Sequence, residues 1–333
     1  MEVLCVVNRE RERPLRDRAD PLTLPDHALL RLYRLPRNSV MYLTYILRDN
    51  LQRKTKRSSP LPVIMVVLRF FASGSFRAVL SNTVGTSQSS VCRTVSSVSR
   101  ALSRMVENFI KFPSTAAEQI LVKQKFFEIA AFPNVLGAVD GTHVAIKAPS
   151  DDEELYVNRK NFHSVNALIV CDASLKITNL GLMTHDPFIL TTSALCQQFS
   201  EGQIPDGWLL GDSGYPLRPW LMTPILHPAS EAHDRSNRAQ RKTRGVVERC
   251  TGVLKSRFRC TDHSGGVLLY TPERACQITA AVCVVHNICQ MHRVPLLNIP
   301  EAPDEPDEPL RDVANPSNSG LQARNNLKAR RFT

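Results

Sequence analysis

The sequence lacks any uninterrupted apolar run of membrane-spanning length. Its longest apolar stretches are broken well before about 18 residues, the length that an apolar helix needs to cross a bilayer. The apolar segment Val3 to Val7 is too short for the hydrophobic region of a signal peptide, and charged residues follow it at once. We therefore expect a protein that neither spans a membrane nor carries a secretory signal.

Regularly spaced cysteines are also missing. The chain contains nine cysteines, an odd number, and they form no repeating pattern. Small secreted proteins that depend on disulfides usually show an even and ordered set. We therefore expect reduced thiols in an intracellular protein. The chain has 333 residues, 43% of them hydrophobic, which is enough for one large domain or two ordinary ones.

Positive charge is abundant and unevenly distributed. The formal net charge is +11, and residues 235–259 alone contain nine Lys or Arg and one Glu, a local net charge of +8. Such a concentration favours a polyanionic partner. The alternative is a basic helix face that only meets solvent.

The pattern of apolar residues divides the chain into four segments. Residues 1–20 are charged and predict a mobile leader, and residues 21–130 predict a helical N-terminal domain. Residues 131–295 form the next domain, and the acidic, proline-rich residues 296–333 predict a disordered tail. No internal repeat is present.

The segment 76–102 has the outline of a helix-turn-helix. A first helix would run from Phe76 to Val84 and stop at Gly85, and Thr86 or Ser87 would cap the second. The second helix would bury Val91, Val95, Val98 and Leu102 and expose polar residues such as Arg93 and Arg100. An ordinary helical hairpin, packed on a neighbour, is the alternative.

Strand patterns begin after residue 131. Three β-branched, apolar stretches at 134–149, 161–173 and 175–183 predict consecutive strands, and 208–210 predicts a short fourth strand. Helices are expected at 115–129, at 189–199, within the basic region after Arg235, and at 272–292. Strands followed by alternating strands and helices indicate an α/β domain.

Three acidic residues occupy positions where a carboxylate is unusual in an ordinary folded domain. Asp140 lies within an apolar strand, and Asp212 lies where the short strand opens into a turn. Glu248 lies off the apolar face of the basic helix, in line with Lys255 and Arg259. Carboxylates without an obvious basic partner suggest a hard divalent cation, Mg²⁺ or Mn²⁺. Taken singly, each acid could equally be a surface or capping residue.

The stretch LLGDSGYP, residues 209–216, offers a competing interpretation. Gly-Asp-Ser-Gly resembles the serine loop of chymotrypsin-like proteases, in which Ser213 would be the nucleophile. That chemistry needs a histidine base and a buried acid. The sequence lacks the corresponding histidine segment, and Tyr215 stands where the protease loop has a second glycine. We therefore assign the chemistry to Asp212.

Together, four motifs make the chain resemble a known family. They are GAVDGTHVAIKAP, YVNRKNFHSVNALIVCDA, WLLGDSGYPLRPWLMTP and RGVVERCTGVLKSRFRC. They resemble the Harbinger transposase-derived nucleases of the DDE superfamily, over about residues 32–292. The resemblance implies an RNase H-like catalytic core, a mixed sheet flanked by helices, behind an all-α N-terminal domain. It implies catalytic roles for Asp140, Asp212 and Glu248.

The resemblance also implies a fourth metal-binding residue, Asp186, in addition to Asp140, Asp212 and Glu248. The family usually carries Trp-Pro-Gly-Ser before its His-Asp pair. This chain has NLGLMTHDP there and lacks that stretch. The orientation of Asp186 is therefore less secure than that of the other three acids.

The preferred hypothesis is a divalent-metal-dependent nuclease that hydrolyses DNA phosphodiester bonds without full transposase activity. The alternative is a DNA- or protein-binding module that kept the fold but no longer cleaves. The candidate DNA contacts are Arg93, Arg244, Arg249, Lys255, Arg257 and Arg259. The resemblance further implies a separate Myb-like DNA-binding partner that helps nuclear entry. RKTKR, residues 53–57, could act as a weak import signal, so we expect the protein in nucleus and cytoplasm.

Overall fold

The structure is a computed structural model, and it describes residues 21–51, 60–74, 87–183, 193–204, 206–296 and 316–331. The predicted leader, the first helix of the predicted helix-turn-helix, Asp186 and the RKTKR segment lie outside these residues. Within the described residues, no helix is both long enough and apolar enough to cross a membrane.

Helices precede the sheet. Their bounds are α1 (Asp26–Tyr33), α2 (Arg37–Ile46), α3 (Arg48–Leu51), α4 (Pro60–Ser73), α5 (Gln88–Ser103), α6 (Val106–Phe109) and α7 (Ala116–Ala130). The start of α7 is set by a capping box, in which Thr115 Oγ1 accepts from the Glu118 amide at 3.3 Å and Glu118 Oε2 accepts from the Thr115 amide at 3.1 Å.

The second helix of the predicted helix-turn-helix is confirmed as α5. Ser87 caps it by accepting a hydrogen bond from the Ser90 amide. The four apolar residues that we expected on its inner face are buried, and they are Val91, Val95, Val98 and Leu102. The helix-turn-helix as a whole stays a prediction.

A five-stranded mixed sheet follows. Its strands are β1 (Val135–Ala145), β2 (Ser164–Cys171), β3 (Ile177–Met183), β4 (Trp208–Leu210) and β5 (Leu221–Met222), in the order β3-β2-β1-β4-β5. The first three strands are antiparallel neighbours, whereas β4 and β5 run parallel to β1. The four predicted strands are confirmed, and β5, only two residues long, was not predicted.

The remaining helices are α8 (Ala194–Ser200), α9 (Glu231–Arg257), α10 (Pro272–Met291) and α11 (Asn318–Arg331). Short 3₁₀ turns occupy Pro21–Thr23, Glu153–Tyr156, Arg259–Thr261 and His263–Gly265. The predicted disordered tail, residues 296–333, is wrong for residues 318–331, which form helix α11. Leu327 of α11 is 6% exposed, so this helix packs on the rest of the protein and gains apolar contact there.

One hydrophobic core joins the N-terminal helices to the sheet. Phe71 of α4 is fully buried and meets Phe258 edge-on, with ring centroids 6.5 Å apart. The same cluster of buried residues contains Val95 of α5, Val135 of β1 and Leu327 of α11. The helices therefore do not form a separately packed layer.

Candidate active site

The register of the sheet places Asp140 and Asp212 side by side. Ala138 of β1 pairs with Leu210 of β4 in parallel register. Asp140 lies two residues beyond Ala138, and Asp212 lies two residues beyond Leu210. Because the strands are parallel neighbours, both carboxylates come to the same end of the sheet, where α/β domains place functional groups.

Asp212 is held by a turn of its own backbone. Its Oδ1 accepts a hydrogen bond from the Gly214 amide at 3.0 Å. Gln240 of α9 donates to the Gly211 carbonyl at 2.8 Å, which fixes the strand end just before the acid. A Cβ on Gly211 would lie 2.9 Å from Cδ2 of the Tyr215 ring, so any larger residue there would force this ring to move.

The described surroundings of Ser213 differ from those of a serine nucleophile. In the described part of the chain, no histidine makes a hydrogen bond to Ser213, and the turn is organised around the Asp212 carboxylate instead. A serine nucleophile requires a hydrogen-bonded general base. The geometry therefore favours Asp212 over Ser213 as the functional residue of LLGDSGYP.

Helix α9 brings the third acid. It packs on β1 with Val246, Val247 and Cys250 buried, as the apolar pattern predicts. Glu248 lies off this face, and its side chain is 54% exposed. It forms an ion pair with Arg244, one turn earlier on the helix.

Both other acids act electrostatically on Asp140. The pKa of Asp140 is raised to about 7, mainly by burial and to a smaller extent by the neighbouring Asp212 and Glu248 carboxylates. The Arg244 guanidinium lowers the pKa of Asp140. The Gly141 amide also lowers it, by donating a hydrogen bond to Asp140 Oδ1 at 2.9 Å. Burial is the largest of these effects, and the Arg244 guanidinium does not offset it.

Tyr215 is a member of this site that the sequence did not reveal. Burial raises its pKa above the ordinary tyrosine value, and the Asp140 and Asp212 carboxylates add to the increase. Its hydroxyl lies 3.9 Å from where a Cβ on Gly141 would stand. Tyr215 therefore stays protonated beside the two acids as a hydrogen-bond donor.

The donor set suits a hard divalent cation, although it is not pre-assembled. All three acids offer oxygen ligands, and the buried Asn166 Oδ1, beside Gly141, has no hydrogen-bond partner among the described residues. However, no three His, Cys, Asp or Glu side chains within the described ranges already stand close enough to hold a metal ion. Glu248 is turned to Arg244 instead.

The six predicted DNA contacts lie in different environments. Arg93 and Arg249 are exposed, and Lys255 is partly exposed. Arg244 is engaged with Glu248. Arg257 is only 5% exposed and donates to the Val294 carbonyl at 3.0 Å, which argues against a phosphate contact.

The helix that was expected to carry Glu248, Lys255 and Arg259 on one face ends before Arg259. Helix α9 stops at Arg257, so Arg259 lies in the following 3₁₀ turn and donates to the Ser264 carbonyl at 3.1 Å. The expected placement of Arg259 on the same helix stripe as Glu248 and Lys255 is therefore wrong. The apolar pattern could not reveal this, because Phe258 continues the buried face past the helix end.

Comparison with known proteins agrees with this geometry. The family model described as "DDE superfamily endonuclease" matches residues 139–287, which include all three acids. The human protein named "Putative nuclease HARBI1" is 41% identical over 282 residues, covering 83% of this chain and 81% of that protein. The chain belongs to the Harbinger transposase-derived nuclease family.

More distant relatives extend the comparison. The Xenopus laevis protein of the same name is 40% identical over 291 residues, 85% of this chain and 83% of that protein. An Arabidopsis thaliana protein, "Antagonist of like heterochromatin protein 1", is 25% identical over 299 residues, 79% of this chain and 73% of that protein. No solved structure matches the chain significantly.

Proposed function

We propose that this protein is a divalent-metal-dependent endonuclease that hydrolyses DNA phosphodiester bonds. The observation that carries the proposal is the parallel register of β1 and β4, which sets Asp140 beside Asp212, with Glu248 arriving from α9. Membership of the family adds support, since its DDE domain spans all three residues.

The acids would hold Mg²⁺ or Mn²⁺, with Asp140 and Asp212 as the fixed ligands and Glu248 as the ligand that must leave Arg244. Such ions, when bound, lower the pKa of a coordinated water and stabilise charge on a phosphodiester. Asp186, which lies outside the described residues, would contribute a weaker ligand. Tyr215, protonated beside Asp140, would donate a hydrogen bond to a phosphate oxygen.

The exposed cations around this site would orient the substrate. Arg249 is exposed and Lys255 partly exposed, both on the helix that carries Glu248, so a phosphodiester bound there would meet carboxylates and cations on one element. We also propose DNA as the partner, together with a Myb-like DNA-binding protein. We place the protein in nucleus and cytoplasm.

The neighbours Asp212 and Ser213 provide a matched test. Supercoiled plasmid incubated with Mg²⁺ or Mn²⁺ should be nicked by the parent protein and by Ser213→Ala at rates within about threefold of each other. Asp212→Asn should be slower by at least about a thousandfold, because losing a ligand removes roughly 4 kcal/mol of transition-state stabilisation. The nicking rate of Asp186→Asn should fall by only about ten- to a hundredfold.

The outcomes separate the candidate functions. Loss of nicking in Ser213→Ala with activity in Asp212→Asn would contradict the assignment and restore the serine interpretation. A parent protein that binds DNA but cleaves none with either metal would be the inactive binding module. The Arg244–Glu248 ion pair is the observation that favours the inactive binding module, because it engages a carboxylate that a metal ion would need.

A further inference from the structure

A polar groove opens between α5 and the first turn of α10. Its volume is about 250 Å³, and its lining residues are Cys92, Arg93, Ser96, Ser97, Arg100 and Arg274. Helix α5 supplies five of these residues, and α10 supplies the sixth. The two helices pack closely on each other, so the groove is a fixed feature of the fold.

The orientation of α5 turns its arginines toward solvent. Arg93, Ser97 and Arg100 succeed each other at intervals of four and three residues, which places them on one helix face. The opposite face is buried in the core. Arg93 and Arg100 are exposed, and so is Arg274 across the groove. Arg274 lies in the first turn of a 20-residue helix, whose amino-terminal end adds partial positive charge.

The groove has the chemistry of a phosphate site. Guanidinium and hydroxyl groups donate hydrogen bonds to phosphate oxygens, and arginine matches their geometry with two parallel bonds. Across the described ranges of the chain, no carboxylate forms an ion pair with Arg93, Arg100 or Arg274. No aliphatic or aromatic side chain lines the groove.

We propose that this groove binds backbone phosphates of the DNA substrate, an assignment that rests on the proposed nuclease function. Helix α5 would thus position the duplex and would not read its sequence. A recognition helix must enter the major groove, which is about 12 Å wide. Here α10 flanks the arginine face of α5, and a duplex that approached Arg93 and Arg100 would also meet Arg274. Contacts to phosphates fix register and carry no sequence information.

The test compares a groove variant with a matched control. Arg93→Gln, Arg100→Gln and Arg274→Gln are combined in one protein, and Arg31→Gln, an exposed arginine on α1, is the control. All are made on the Asp212→Asn background so that DNA is bound without cleavage. Fluorescence anisotropy measures Kd for three duplexes of unrelated sequence, and for one RNA duplex, over a series of salt concentrations.

We expect the slope of log K against log salt to become shallower by about 2.7 in the triple variant, from about 0.9 per phosphate contact. The loss of affinity should be equal for all three DNA duplexes, since they share the same phosphate backbone. Arg31→Gln should leave the slope unchanged. Circular dichroism verifies folding; if the triple variant does not fold, Arg274→Gln alone should flatten the slope by about 0.9.

Three results would overturn the proposal. The first is an unchanged salt slope in the folded triple variant. The second is a loss of affinity for only one of the three DNA sequences, and the third is a loss of affinity for the RNA duplex only. The plasmid assay reports separately on the proposed function. A shallower slope in a protein whose parent does not cleave would support the groove and remove the nuclease assignment.

Discussion

At the scale of single residues, the site is governed by a conflict between burial and charge. Asp140 lies in the middle of a buried strand, beside two other acids, and Arg244 is the cation that the structure places against them. A carboxylate in such a position is costly unless a cation compensates it. In the absence of a further cation, this carboxylate is accommodated by retaining its proton, as its raised pKa indicates.

The raised pKa of Asp140 makes stability depend on pH in the absence of metal. The folded carboxyl holds its proton up to about pH 7, whereas the unfolded one releases it near its ordinary value of 3.8. The native state therefore binds more protons over this interval, and the free energy of unfolding should fall as pH rises from about 4 to about 7.

Asp140→Asn should remove this pH-dependent part of the free energy of unfolding, which amounts to at most about 4 kcal/mol. Urea denaturation in EDTA at pH 4.5, 6 and 7.5 measures it, with Asp172→Asn, a loop acid away from the cluster, as control. A parent protein whose unfolding free energy changes no more than that of Asp140→Asn over this range would contradict the interpretation.

Arg244 should compete with metal for Glu248. Arg244→Gln frees the Glu248 carboxylate and removes a positive charge beside Asp140, so we expect Mn²⁺ to bind about three- to tenfold more tightly. Isothermal titration calorimetry without DNA measures this. Arg249→Gln, an exposed arginine on the same helix, should leave metal affinity unchanged. Weaker binding in Arg244→Gln would mean that Arg244 positions the acids instead of competing for them.

At the scale of elements, the carboxyl-terminal helix α11 is attached by a few identifiable contacts. The Ser317 amide donates to the Leu217 carbonyl at 3.3 Å, and Lys328 Nζ lies 3.0 Å from His233 Nε2 of α9. Arg331 lies over the Phe127 ring, 5.7 Å from its centroid. These contacts cover the β5 end of the sheet and join α11 to α7 and α9.

Leu327 should supply much of the attachment of α11. Leu327→Ala removes a buried side chain and should lower the free energy of unfolding by about 2–3 kcal/mol. Asn325→Ala, on the exposed face of the same helix, should change it by less than about 0.5 kcal/mol. Chemical denaturation compares the two variants. Equal, small effects would show that α11 does not contribute to the stability of the core.

At the scale of the whole molecule, the N-terminal helices and the sheet share one core. Phe71 of α4 and Phe258 beyond α9 meet within it, and α5 packs along α10. The sequence suggested two successive domains, because helical and strand patterns occupy different stretches. Packing joins these two stretches, so we expect the distance between the groove arginines and the three acids Asp140, Asp212 and Glu248 to stay constant when DNA binds.

A shared core predicts one cooperative unfolding transition. The two tryptophans, Trp208 and Trp220, lie near β4 and β5, so their fluorescence reports on the sheet. Far-ultraviolet circular dichroism is dominated by the helices. The two signals should give the same midpoint in urea. Midpoints that differ by more than the error of the fits would indicate that the helices before β1 unfold independently.

The sequence determined the local structure and the identity of the acids. Apolar, β-branched stretches predicted four strands, and the period-3.6 apolar pattern predicted helices that flank them, because burial selects such patterns directly. Thr86 or Ser87 was expected to begin α5 through a side-chain oxygen, and Ser87 does so. Motif resemblance supplied Asp140, Asp212 and Glu248, which single-residue arguments left open between metal ligands and surface acids.

Only the tertiary structure decided which charges face each other. The parallel pairing of β1 with β4 set Asp140 beside Asp212, and register is a property of two strands that neither stretch of sequence contains. The pairing of Glu248 with Arg244, the burial of Arg257 and the meeting of Arg274 with Arg93 and Arg100 likewise depend on how helices end and pack. Charge count along the chain predicted a basic protein, whereas the distribution of that charge between core, active site and groove was settled by packing.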